Sequence, residues 1–242
     1  MILANVRHRL GRDDAQLAVR LLGRVSRDEG DRAEATLREQ GMDALLDDPR
    51  LLAALLAPGA GMHASFPLFS YVVVRHSLRR AGEDDRGMAD YVASILLHFG
   101  IRGRAERIAD TDDECYTTLA ELLEDVDDGD AQRSFLVRQH LGNYALWLSG
   151  LFPDFIEHRR WRRGGPDLDY YEQLGRRGFQ LAADHRLAAD HGLATLFATA
   201  ATKFPLLRTA LNAVSDALLF PNVSSPERLM RQVRDESRWM VS

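Results

Sequence analysis

The stretch FIEHRRWRRGGPDLDYY, Phe155 to Tyr171, decides how the chain is read. It places four arginines around a tryptophan, then two glycines and a proline, then two aspartates and a tyrosine pair. Upstream, Pro153 with Asp154 and Glu157 suits the start of a helix, where acids meet the positive end of the backbone dipole. Arg159, Arg160, Arg162 and Arg163 suit its negative end, and Gly164 suits the left-handed residue that closes it. Pro166, Asp167 and Asp169 then open the next helix. The stretch therefore reads as one helix stopping and another starting.

The same punctuation recurs along the chain. Ser26 to Glu29 and Thr111 to Glu114 both fit the capping box, in which a hydroxyl and a carboxylate each satisfy an orphan amide. Asp48-Pro49 and Ser225-Pro226 put a cap residue ahead of a proline at the first helical position. Apolar residues three and four apart follow these signals in AQLAVRLLGRV (Ala15–Val25), YTTLAELLEDV (Tyr116–Val126) and PERLMRQVRDESRWM (Pro226–Met240). No segment shows the sustained alternation of a half-buried strand. The expected helices are 13–25, 31–46, 49–57, 66–81, 85–99, 102–109, 112–126, 129–151, 153–163, 167–189, 191–203, 205–219 and 226–239. Their short connections predict an all-α fold: a compact array of antiparallel helices, apolar faces inward, with no sheet.

Length and composition agree with this. The chain has 242 residues, 45% apolar and 28% charged, ordinary for a globular protein. It is read as a single helical domain, 1–242. APGAGMHAS (Ala57–Ser65) is the one linker candidate, dividing a small N-terminal lobe, 1–57, from a main body, 63–242. Four of the eight prolines follow a phenylalanine, at Phe66, Phe152, Phe204 and Phe220. Each pair predicts a helix corner, with proline setting the turn and the ring anchored in the core.

The net charge of −5 argues against a dedicated nucleic-acid binder, which needs a basic face to neutralise phosphates. Only Lys203 among the 31 basic residues is a lysine, which reads as coding bias in a GC-rich genome. One cysteine, Cys115, permits no intrachain disulfide, and the start of the chain carries no signal-like apolar run. The longest apolar stretches, Leu141–Phe152 and Gly192–Thr202, are too short to span a bilayer. The expected setting is the cytoplasm, with no membrane partner.

Chemistry-bearing patterns are sparse. Leu136, His140, Tyr144, Trp147 and Leu151 share one helical face, so His140 sits on an aromatic stripe. Leu168, Tyr171, Gly175, Gly178, Ala182 and His185 line one side of the next long helix. Glycines there cost about 1 kcal/mol each against alanine, so a close helix approach or a ligand across the notch should compensate. His140, Tyr144, Trp147, Tyr171 and His185 are thus the candidate lining of a pocket between helices 129–151 and 167–189. A metal site assembled from His140, Asp154, Glu157, His158, Asp184 and His191 lacks the Glu-x-x-His or His-Glu-x-x-His spacing that helical metal centres use. No phosphate loop or nucleophile elbow occurs. Cys115 lies among acids that oppose a thiolate. No cofactor or metal is expected.

The leading reading is a non-enzymatic interaction module that binds another protein or a copy of itself, with Arg159, Arg160, Trp161, Arg162 and Arg163 as the partner surface. A helical enzyme or carrier using the His140 pocket is the first alternative. Nucleic-acid binding through Arg159–Arg163, with Trp161 as a stacking platform, is the second.

Overall fold

In the computed structural model the described residues are 1–101, 103–109, 114–127 and 130–240. They form fourteen α-helices and no β-strand. The protein is all-α. Its contacts divide it into two compact units, the first running from Ile2 to His98 and the second from Phe99 onward.

The first unit begins with α1 (Arg12–Leu22), α2 (Arg27–Gln40), α3 (Met42–Leu46) and α4 (Pro49–Leu56). The expected helix 31–46 is divided because Gly41 takes a left-handed φ of 85°, which stops α2 and redirects the chain into α3. Ser26 Oγ accepts from the Glu29 amide at 3.2 Å and Asp48 Oδ1 from the Arg50 amide at 2.9 Å, as the cap signals predict. The segment 57–65 lies inside this unit as a turn and a short 3-10 helix. Next come α5 (Phe66–Arg80) and α6 (Arg86–Phe99). The middle of α5 is buried on all sides, from Ser70 to His76, as befits a core helix. Burying Arg75 requires partners: its guanidinium meets Asp47 at 2.7 Å and Asp84 at 2.6 Å, and Asp47 also takes Arg86 at 2.7 Å. Burial pushes the Asp47 carboxyl up, but hydrogen bonds from Arg75 and Arg86 outweigh it and hold the group below the usual carboxylate range.

The second unit comprises α7 (Leu119–Glu124), α8 (Ala131–Leu151), α9 (Pro153–Arg163), α10 (Leu168–Ala183), α11 (Arg186–Asp190), α12 (Ala194–Thr202), α13 (Phe204–Val214) and α14 (Pro226–Met240). The central rod is α8, packed against α7, α10 and α13. The expected helix 102–109 is absent over its described residues. Gly103 takes a φ of 74°, and the Ala105 carbonyl accepts from His140 instead of continuing a helix. Helix 112–126 shrinks to α7 because Thr118 caps it: its Oγ1 accepts from the Glu121 amide at 3.3 Å, and Glu121 Oε2 accepts from the Thr118 amide at 3.2 Å. The box expected at Thr111–Glu114 falls on Thr111, Asp112 and Asp113, which lie outside the described residues.

Helix 167–189 breaks at His185, which leaves helical geometry and caps α11 by accepting from the Leu187 amide at 3.2 Å. Helix 153–163 stands as expected, closed by Gly164 at φ 64°, with the Gly164 amide donating to Arg160 O at 3.0 Å. Helix 205–219 passes from α13 into a π-turn over Ser215–Leu219. The phenylalanine–proline corners divide in two. Pro67, Pro153 and Pro205 each open a helix, but only the Phe204 ring is fully buried; Phe66 and Phe220 are exposed, and no helix starts at Pro221. Proline sets those corners whether or not the ring before it finds the core.

Candidate functional site

The aromatic face of α8 forms as a row within the second unit. The His140 ring stacks on Tyr144 at 5.8 Å, Tyr144 on Trp147 at 6.1 Å, and Phe99 meets His140 edge-on at 5.3 Å. Trp147 continues the row to Phe152 at 4.8 Å. His140 Nε2 donates to Ala105 O at 2.9 Å, so the imidazole ties the loop to α8. Burial, with Glu106 adding to it, pushes the Tyr144 hydroxyl up to about 12. Burial likewise raises Tyr171. His185 lies elsewhere. It stacks on Phe135 at 5.3 Å, and Phe135 is about 140° round α8 from His140 at 100° per residue. The imidazole of His185 is held below its usual value by burial, then by Arg138 and Arg186.

The glycine notch is filled by protein. A Cβ on Gly178 would stand 2.6 Å from the Gly142 backbone nitrogen, and one on Gly175 would stand 2.2 Å from the Phe204 ring. Backbone meets backbone where α8 crosses α10, which is the compensation the glycines require. Among the described residues, no three of His, Cys, Asp or Glu converge as a group able to hold a metal ion.

On α9, Arg159, Trp161, Arg162 and Arg163 are exposed. Arg160 is half-buried, its guanidinium 5.8 Å over the Trp161 ring and 3.8 Å from Glu157. Phe155 adds a second exposed ring to this helix.

Beside α9 packs α14, and it is inside out. The expected inward apolar face points away from the unit: Leu229 is 58% exposed, Met230 66% and Val233 65%. The charged face is buried, with Arg228 at 5%, Arg231 at 3% and Asp235 at 5%. Every one of those charges meets an opposite one. Arg228 Nε donates to Asp154 Oδ2 at 2.8 Å, and its Nη1 to Phe220 O at 2.8 Å. Arg231 Nη2 reaches Asp216 at 2.7 Å and Asp154 at 3.3 Å. Asp235 receives Arg208 at 2.7 Å, and Arg208, itself fully buried on α13, also donates to Asn212 Oδ1 at 2.6 Å. Asn212 passes the network to the end of α8, donating to Ser149 O at 2.7 Å and Gly150 O at 2.8 Å. Breaking one member of such a buried set strands the other charge, at roughly 3–5 kcal/mol. The network therefore fixes which face of α14 looks in.

Apolar periodicity alone missed this surface. The signal was present: Arg228, Arg231 and Asp235 also recur at helical spacing, and they define the opposite face.

No protein-family model matches the chain, and neither the curated proteins nor the solved structures contain a significant match. Among the described residues no helix is long and apolar enough to cross a membrane.

Proposed function

We propose that the chain is a non-enzymatic helical interaction module whose docking surface is the outer face of α14 together with the adjoining α9. One observation supports it above the others: a helix anchored by buried ion pairs that keeps three large apolar side chains in solvent. Exposing that stripe is unfavourable for an isolated monomer and useful when a partner covers it. Trp161 and Phe155 on α9 are of the kind that anchors protein interfaces, as is the arginine cluster around them. A cytoplasmic setting belongs to the same proposal, supported by the single, exposed Cys115.

The test is site-specific photo-crosslinking in the expressing cell. A benzophenone side chain at Met230 should give one discrete protein adduct, and the same group at exposed Arg177 on α10 should give none. Absence of any protein adduct at Met230 removes the module reading. Salt-sensitive retention on heparin, abolished by substituting Arg159, Arg162 and Arg163, would favour nucleic-acid binding instead.

A further inference from the structure

Resting on that reading of α14, we propose that the partner is a second copy of this chain, bound through an antiparallel α14–α14 pairing. The outer stripe runs through Pro226, Leu229, Met230 and Val233, with spacings of three and four that suit the seam of a two-helix contact. No formal charge interrupts it. Its edges carry charge of both signs: Glu227 and Arg234 lie seven residues apart, two turns, on one edge, and Glu236 lies on the other.

That arrangement is self-complementary in only one direction. In an antiparallel pair with its two-fold axis between positions 230 and 231, Glu227 faces Arg234 of the second copy, and the reciprocal pair forms by symmetry. In a parallel pair the two edges cross over, so Glu227 and Arg234 meet the opposite edge of the second copy and neither reciprocal pair forms. Arg234 is half-buried and its Nη2 lies 3.5 Å from Glu157, so Glu227 of the second copy would share the guanidinium with that carboxylate. The alternative occupants fit less well. In sequence register the stripe's edges balance Glu227 and Glu236 against Arg234 and Arg238, so they offer an anionic lipid surface or a nucleic acid no net attraction. A two-fold contact also brings two copies of Leu229, Met230 and Val233 together, so that each chain covers the apolar area the other leaves exposed.

The experiment uses the full chain with Cys115→Ser as background. Sedimentation across a concentration series should show a species of twice the chain mass. Met230→Asp and Val233→Asp should each raise its dissociation constant at least about tenfold, as losing one buried apolar side chain implies. Under mild oxidation Met230→Cys should form a disulfide with its copy, since the two sites are offset by about 1.5 Å along the pair. Glu236→Cys should not, because its copies lie about 16 Å apart, beyond disulfide reach. Disulfides at both positions would overturn the antiparallel pairing. A monomer at all concentrations, or a dimer unaffected by Met230→Asp and Val233→Asp, would overturn self-association through α14. If that monomer still gives the Met230 photo-adduct with a different protein, the module reading survives without this partner. If it instead floats with anionic vesicles, α14 is a membrane-docking face and both readings fall.

Discussion

Replacing Gly178 by alanine tests the reading of the glycines as a helix crossing. The added methyl would stand 2.6 Å from the Gly142 nitrogen and 3.0 Å from Leu141 Cβ and Cγ, where ordinary contact begins near 3.4 Å. The obstacle is backbone, so no side-chain rotation relieves it, and α10 must move away from α8. Overpacking of this kind costs about 1–3 kcal/mol, and rigid backbone puts it at the upper end. Alanine's better helix propensity returns about 1 kcal/mol. The net loss is about 2 kcal/mol, or a midpoint lowered by about 4–8 °C in a chain of this size. Gly30, also inside a helix, is the control. Its Cβ would meet only the Gly23 Cα at 3.6 Å, so Gly30→Ala should stabilise by about 0.4–1 kcal/mol. Both variants are followed by thermal unfolding at 222 nm. A Gly178→Ala protein as stable as the parent would refute the crossing and return the notch to the list of ligand sites.

Arg208→Ala should cost about 3–5 kcal/mol in denaturant unfolding, because it strands Asp235 and Glu172 without their shared cation. A loss under 1 kcal/mol would mean that the network is solvated and does not fix α14. His76 should make stability depend on pH. Burial holds its imidazole below the usual 6.5, outweighing the 3.0 Å bond to Leu46 O. The folded state therefore keeps it neutral while the unfolded state protonates, so the contribution is complete above about 6.5 and is lost as pH falls below that value. Comparing denaturant midpoints at pH 7.5 and 5.5 should show this fall, reduced in His76→Gln; an equal fall in that variant would assign it to other groups.

Much of the fold was legible from spacing and caps. Helix α9 could be placed to the residue because Pro153 and Gly164 mark both ends with different physics. The close approach at Gly175 and Gly178 was legible from the cost of glycine in a helix. Other features depended on distant residues. The helix missing over the described residues 103–109 turns on Ala105 O being taken by His140, thirty-five residues away. The break at His185 turns on an imidazole acting as a cap, a role more often given to Ser, Thr, Asp or Asn. Tyr171 and His185 fall on one line of the sequence pattern, but that break separates them. The orientation of α14 was least legible, since its segment carries two stripes of the same period. Which stripe turns inward is decided by Asp154, Asp216 and Arg208, and nothing local to Pro226–Met240 announces them.

Amide hydrogen exchange across α14, at concentrations below dimerisation, tests that orientation most directly. Arg231→Ala should strongly reduce protection of the amides from Arg228 to Glu236, because it takes the nearest cation from Asp216 and leaves Asp154 to Arg228 alone. Val233→Asp should leave the same amides protected, because that side chain faces solvent. The opposite ranking, protection kept without Arg231 and lost with Asp at position 233, would show that the apolar stripe is the buried one.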